Sequence, residues 1–177
     1  MRIWMSAVVL ATVAGFAPPA VAQAPAADPK DVGSIDGIMA AVYDVISGPK
    51  GEKRNWDRWR SLFVGGARLI PTGKDQQGNS RLRVMTPEDF ITSSGASMEE
   101  NGFFEVEIGR VTERYGNVVQ AFSSYESRRT LQDEKPFARG VNSFQLFYDG
   151  ARWWVVSIFW EGETPGNPIP AKYINKK

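Results

Sequence analysis

This 177-residue chain contains no histidine and no cysteine. The usual general base, the usual transition-metal ligand and the base of nearly every nucleophilic triad are therefore missing. Chemistry is left to hydroxyls, carboxylates and amides. Tyr43 lies within an apolar helical period, where its hydroxyl either points into a pocket or sits at the edge of a core. Glu105 and Glu107 stand two apart on one strand face, a spacing that suits paired carboxylates but is also common on solvated faces, and the solvated reading is preferred. Tyr125 and Ser127 share one face of their strand, while Glu126 and Arg128 share the other, with Arg139 as the expected cross-strand ion partner of Glu126. Asn142 and Ser157 fall among large apolar side chains, where a buried polar group must find a partner. Either they bond each other or they line a pocket. Without histidine or cysteine a metal would have to be a hard cation held by oxygen, and no loop has the acidic spacing that calcium needs. No metal and no cofactor is implied.

The elements that must position these groups are clearest between Phe104 and Glu161. Val141 to Trp160 reads as a hairpin, because Asp149-Gly150 between two aromatic and β-branched runs supplies the positive φ angles of a two-residue turn. That turn predicts Tyr148 opposite Ala151, Leu146 opposite Trp153, Phe144 opposite Val155 and Asn142 opposite Ser157. Trp153, Val155 and Phe159 then share one face, and Trp154, Val156, Ile158 and Trp160 the other. A hairpin over a one-sided core alternates apolar with polar. Here both faces are apolar, so one is expected to meet helices of the same chain and the other, carrying Trp154 to Trp160, a second copy. A second hairpin precedes it, over 104–114 and 118–129, turning at Gly116-Asn117.

Upstream, Ser34 caps a helix in which Ile35, Ile38, Met39, Val42, Val45 and Ile46 recur at three- and four-residue spacing before Gly48-Pro49 stops it. After a charged loop over 50–54, Asn55 caps a short helix with Trp56, Trp59, Leu62 and Phe63 on one side. Ala67 to Pro71 and Arg81 to Met85 predict a short strand pair. Thr86-Pro87-Glu88-Asp89 combines a capping hydroxyl, proline at the first helical position and two carboxylates at the positive end of the helix dipole, so a third helix is expected to about Glu100.

At the N-terminus, Arg2 and an apolar run end in the small-x-small pattern Ala20-Val21-Ala22. Residues 1–22 read as an export signal, too short and too proline-broken for a membrane span. Residues 23–33 read as a flexible leader, 34–161 as one domain, and 162–177 as an extended tail whose Pro168, Ile169, Pro170, Tyr173 and Ile174 can lie along the body. The mature protein is expected in the periplasm or outside the cell. Its 21 basic and 20 acidic residues become equal once Arg2 is removed, so no basic surplus points to nucleic acid.

Helices first, then a short strand pair, a third helix and long antiparallel strands is an α+β order. In Trp59-Arg-Ser-Leu-Phe63 running into Ala67-Arg-Leu-Ile-Pro71, in Thr-Pro-Glu-Asp, and in Asp149-Gly150-Ala-Arg-Trp153-Trp-Val155-Val-Ser157, the chain resembles the nuclear transport factor 2-like superfamily, which includes SnoaL-like proteins and ketosteroid isomerase. The resemblance spans 34–161 and implies a cone of three helices on a strongly curved antiparallel sheet. It places Tyr43 where ketosteroid isomerase carries its donor tyrosine. That family's base position holds Ile70-Pro71-Thr72 here, and its late-strand acid falls at Asn142 to Gln145, so isomerase chemistry is not expected from those positions.

The expected function is an exported module that holds a small apolar or amphipathic organic ligand, lined by Tyr43, Trp59, Phe63, Tyr125, Asn142, Phe144, Ser157 and Phe159, with no catalytic residue. The alternative is a lyase or isomerase in which a pocket carboxylate is the base and Tyr43 the hydrogen-bond donor. An acid pointing into the cavity discriminates the two, because burial raises its pKa toward the range useful for proton abstraction.

Overall fold

A computed structural model of the chain describes residues 26–174. The expected export signal and the first residues of the leader lie outside them. Six strands form one sheet in the order β2-β1-β6-β5-β4-β3, with the helices on its concave side. The helices are α1 Pro29–Val32, α2 Ile35–Ile46, α3 Trp56–Ser61, α4 Pro87–Phe90 and α5 Ala96–Asn101, the last two joined by a π turn at Ile91–Gly95. The strands are β1 Phe63–Lys74, β2 Ser80–Leu82, β3 Phe104–Tyr115, β4 Val118–Arg128, β5 Ala138–Tyr148 and β6 Trp153–Gly162.

Local chemistry explains where the helices start. The Ser34 hydroxyl accepts the Gly37 N–H at 2.9 Å, and α2 then buries Ile38, Met39, Val42, Val45 and Ile46 against the sheet. Thr86 and Asp89 form a reciprocal capping box with Pro87 in the first turn of α4. Helix α1 falls inside the stretch expected to be a flexible leader. It is held because Arg58 donates from Nε and Nη2 to the buried Asp31 carboxylate at 2.7 and 3.0 Å, and from Nη1 to Asp44 on α2. Gly102, with φ +72°, ends α5 and turns the chain into β3.

Two features of the sheet differ from the sequence reading. Strand β1 runs the full span 63–74 and pairs parallel with β6, so the sheet is not antiparallel throughout. The chain between β1 and β6 crosses over through helices and two hairpins, which lets the two strands point the same way. Its pairing with β2 is short, three register pairs plus a bridge from Leu69 to Met85.

The last hairpin is also built differently. Asp149 accepts the N–H groups of Ala151 and Arg152 at 2.8 Å each and the Trp154 indole N–H at 2.6 Å, so the connection takes four residues, 149–152. Tyr148 therefore faces Trp153, and Leu146 faces Val155. That shift of two leaves the faces unchanged, because side chains alternate with period two. A bulge at Val156 then adds one residue, so that Gln145 faces Ser157, Phe144 faces Ile158 and Asn142 faces Trp160. Beyond the bulge the faces exchange. Ile158 is buried in the core and Trp160 packs against it, while Phe159 is 44% exposed on the outer side.

The tail lies across that outer side. Ile169 is buried, its N–H donates to Glu163 Oε1 at 2.8 Å, and the Tyr173 ring packs 5.4 Å from that of Phe122. Phe147 and Val156 remain partly exposed on the same side of the sheet.

Candidate functional site

Between α2, α4, α5 and the concave face of β4, β5 and β6 lies a cavity of about 240 Å³. Its walls are aromatic and aliphatic: Trp59, Phe90, Phe103, Tyr125, Phe144 and Trp160 contribute rings, with Phe137 near the mouth. Several are placed by elements that the sequence specifies. Trp59 projects from α3, donates its indole N–H to Pro87 O at 3.2 Å and stacks on Phe90 at 5.0 Å. Tyr125, Asn142 and Phe144 come from inward positions of β4 and β5. Gly140, directly opposite Tyr125 in the sheet, leaves room for that ring, since a β-carbon there would come within 2.6 Å of the tyrosine oxygen.

One end of the cavity is polar, and Glu105, Ser127 and Asn142 form it. The Ser127 hydroxyl donates to Glu105 Oε2 at 2.8 Å. Burial pushes the Glu105 carboxyl up to about 7, outweighing the bonds from Ser127 and Asn142 that favour its charged form. Among the described residues no basic side chain lines the cavity, so this carboxylate has no counter-charge from them there.

Behind the cavity wall runs a second polar chain. Asn142 Nδ2 donates to the Tyr43 oxygen at 3.1 Å, Tyr43 and Ser123 are 2.7 Å apart, and the Ser123 hydroxyl donates to Glu107 Oε1 at 2.5 Å. Ser123 has one proton and gives it to the carboxylate, so Tyr43 is the donor in the bond between the two hydroxyls. The Tyr43 proton is committed to Ser123. Burial drives its phenol further above its usual range and keeps it neutral. Tyr43 and Glu107, with Asp36, Asp44 and Arg110, instead border a separate outer groove of about 750 Å³ between α2 and β3, which Glu105 also touches.

Of the eight residues expected to line a pocket, Trp59, Tyr125, Asn142 and Phe144 do line the cavity. Tyr43 lies behind the wall, and Phe63 packs on Trp59 at 4.5 Å without reaching the space. Ser157 and Phe159 are corrections: the bulge at Val156 turns both outward, so Asn142 and Ser157 never meet. The expected Glu126–Arg139 pair is also replaced. The two residues face each other in register, but Glu126 bonds Arg128 at 2.7 Å and Arg139 bonds Glu163 at 3.1 Å.

Glu105, taken from sequence as one of a solvated pair, is the most consequential residue that sequence reasoning passed over. The available signal was its place opposite Ser127 on an inward-facing position, which becomes decisive only once β3 and β4 are paired. Phe90, Phe103, Phe137, Ile158 and Trp160 were missed as well.

No family model matches this chain, and no curated protein does. Solved structures share its fold. A nuclear transport factor 2-like protein of unknown function from Shewanella baltica aligns with a TM-score of 0.51 at 14% identity, over 73% of this chain and 91% of that one. A protein of unknown function with a cystatin-like fold from Nostoc punctiforme gives 0.54 at 11% identity, over 77% and 92%. The β subunit of a putative aromatic-ring-hydroxylating dioxygenase from Novosphingobium aromaticivorans gives 0.57 at 14%, over 75% and 88%. The chain has the nuclear transport factor 2-like, cystatin-like α+β fold.

Proposed function

We propose that this chain is an exported small-molecule-binding module of the SnoaL-like type, whose cone holds a compact, largely apolar organic ligand with its polar end at Glu105, Asn142 and Ser127. The observation that carries this reading is the cavity itself, aromatic on most sides and polar at one end, the arrangement by which small-ligand sites combine affinity with orientation. The space holds about eight waters' worth of volume, which sets the size of the ligand. Purification of the mature protein from its native host, followed by denaturation and mass spectrometry, is expected to release one small organic compound. A protein that carries nothing and fails to bind an environment-sensitive apolar dye would overturn the proposal.

Glu105 favours a second reading on the same site. A carboxyl near 7 at the polar end of an apolar cavity is poised to take a proton from a carbon of the ligand, and the electron pair left behind moves toward the ligand's own carbonyl or leaving group. This is lyase or isomerase chemistry with the base on β3. Tyr43, its proton committed to Ser123, is not the electrophile. Conversion of the released ligand by wild type but not by Glu105→Gln supports this second reading, and unchanged ligand with both supports binding alone.

The same proposal includes a homodimer through the outer face of the sheet, now assigned to Phe147, Trp154, Val156 and Phe159. Ile158 and Trp160, expected outside, face the cone instead. Covering what remains exposed of each large apolar side chain contributes roughly 1 kcal/mol or less, which favours association of these half-exposed groups. Sedimentation at micromolar concentration is expected to give a dimer, and Val156→Glu a monomer. A wild-type monomer would reject the interface.

A further inference from the structure

The cavity combines two features that compete unless a third group is present. Among the described residues seven aromatic side chains surround it, and its only carboxylate, Glu105, shares the lining with no basic residue. Moving a carboxylate out of water without a counter-charge is costly, and the chain does not supply one. Aromatic faces carry negative electrostatic potential, so the walls as well as the carboxylate attract positive charge. The neutral polar groups at that end, Ser127 and Asn142, are already engaged with Glu105.

We infer that the ligand of this cone is an organic cation, an alkyl- or aralkyl-ammonium whose charged nitrogen pairs with the Glu105 carboxylate and whose apolar body lies among Trp59, Phe90, Tyr125, Phe144 and Trp160. This rests on the small-molecule reading above and gives it a ligand class. The charged and titratable groups facing Glu105 from the surrounding elements do not supply the missing charge. Tyr43 from α2 and Tyr125 from β4 are neutral, their phenols raised by burial and by Glu105 itself. Glu107, two residues along β3, lies 3.6 Å from Arg110 Nε and accepts from Ser123. Asp36 pairs with Arg110 and Asp44 with Arg58. Arg129 sits over the Phe137 ring at 4.3 Å and donates to Gly102 O, and it is not among the residues that line the cavity. The field at the polar end is therefore negative whenever Glu105 is ionised.

A permanent cation separates charge recognition from proton transfer, so the test uses benzyltrimethylammonium, with benzyl alcohol as the neutral probe and phenylacetate as the anionic one, titrated calorimetrically at pH 8. Benzyltrimethylammonium is expected to bind on the order of tenfold or more tighter than benzyl alcohol, and phenylacetate weakest. Its affinity should rise as pH climbs through about 7, because ionised Glu105 is the form that binds it. Glu105→Gln, which keeps the shape, is expected to bring the cation down to the affinity of the neutral probe and to abolish the pH dependence. Binding of benzyl alcohol at least as tight as that of the cation by wild type overturns the inference and leaves the small-molecule reading standing. Binding of none of the three overturns both.

Discussion

Glu105→Gln is expected to stabilise the ligand-free protein, by an amount that grows with pH. In the unfolded chain the carboxyl titrates at its ordinary 4.5, and in the folded protein burial moves it up to about 7. Folding thus takes up a proton in this window. The stability linked to that proton is fully present below 4.5 and is lost as pH rises through 7, where the wild type must either ionise a desolvated carboxyl or hold a proton against solution. Glutamine resembles the protonated form at every pH. At pH 8 the advantage of the variant approaches about 3 kcal/mol, a rise in melting temperature of roughly 5–10 °C for a chain of this size. At pH 4 the two proteins should melt together. Parallel melting curves across that range would mean that Glu105 is solvated in the folded state, and the cavity would lose its titrating group.

The largest loss is expected at Arg54, in the loop over 50–54 that reads from sequence as merely charged. The residue is 7% exposed and its guanidinium serves four carbonyls: Ile46 O through Nε at 3.0 Å, Glu52 O through Nη1 at 2.7 Å, and Gly48 O and Met98 O through Nη2 at 2.6 and 3.2 Å. Ile46 ends α2 and Met98 lies in α5, so one side chain satisfies the carbonyls of two helices and joins them. Glu99 completes the clamp by accepting the Arg54 backbone N–H and the Trp56 indole N–H. Arg54→Met keeps much of the volume and strands the carbonyls. A loss of about 3–5 kcal/mol is expected, by analogy with other buried charged groups deprived of a partner. Amide exchange at the C-terminal end of α2 should accelerate with it. Arg54→Lys should recover little, because an ammonium presents its donors from one point while the guanidinium reaches four acceptors as a fork. A melting temperature unchanged in Arg54→Met would show that water replaces the guanidinium at no cost.

Both residues lie beyond what local sequence reasoning reached. Ser34, Asn55 and Thr86-Pro87 announced three helices, and each caps one through a bond to a backbone N–H three residues ahead. Gly116-Asn117 announced a two-residue hairpin, and Tyr115 faces Val118 across it. The α+β order and the cone followed, because caps, turns and apolar periods are interactions among residues a few positions apart and are written contiguously in the chain. Trp59, Tyr125, Asn142 and Phe144 were legible as cavity residues for the same reason: periodicity alone fixes which way they point.

Tertiary structure decided the rest. The side on which Ser157, Ile158, Phe159 and Trp160 fall depends on one extra residue at Val156, and that bulge exists only in the pairing of β6 with its neighbours. The parallel course of β1 beside β6 joins segments separated by most of the domain. The state of Glu105 is set by desolvation and by Ser127 and Asn142 on other strands, so its sequence neighbours carry no trace of it. The sequence by itself determined the elements and most of the inward positions. The assembled sheet decided which carboxylate faces the cavity and how it is charged, because burial and electrostatic environment belong to a place in space and not to a position in the chain.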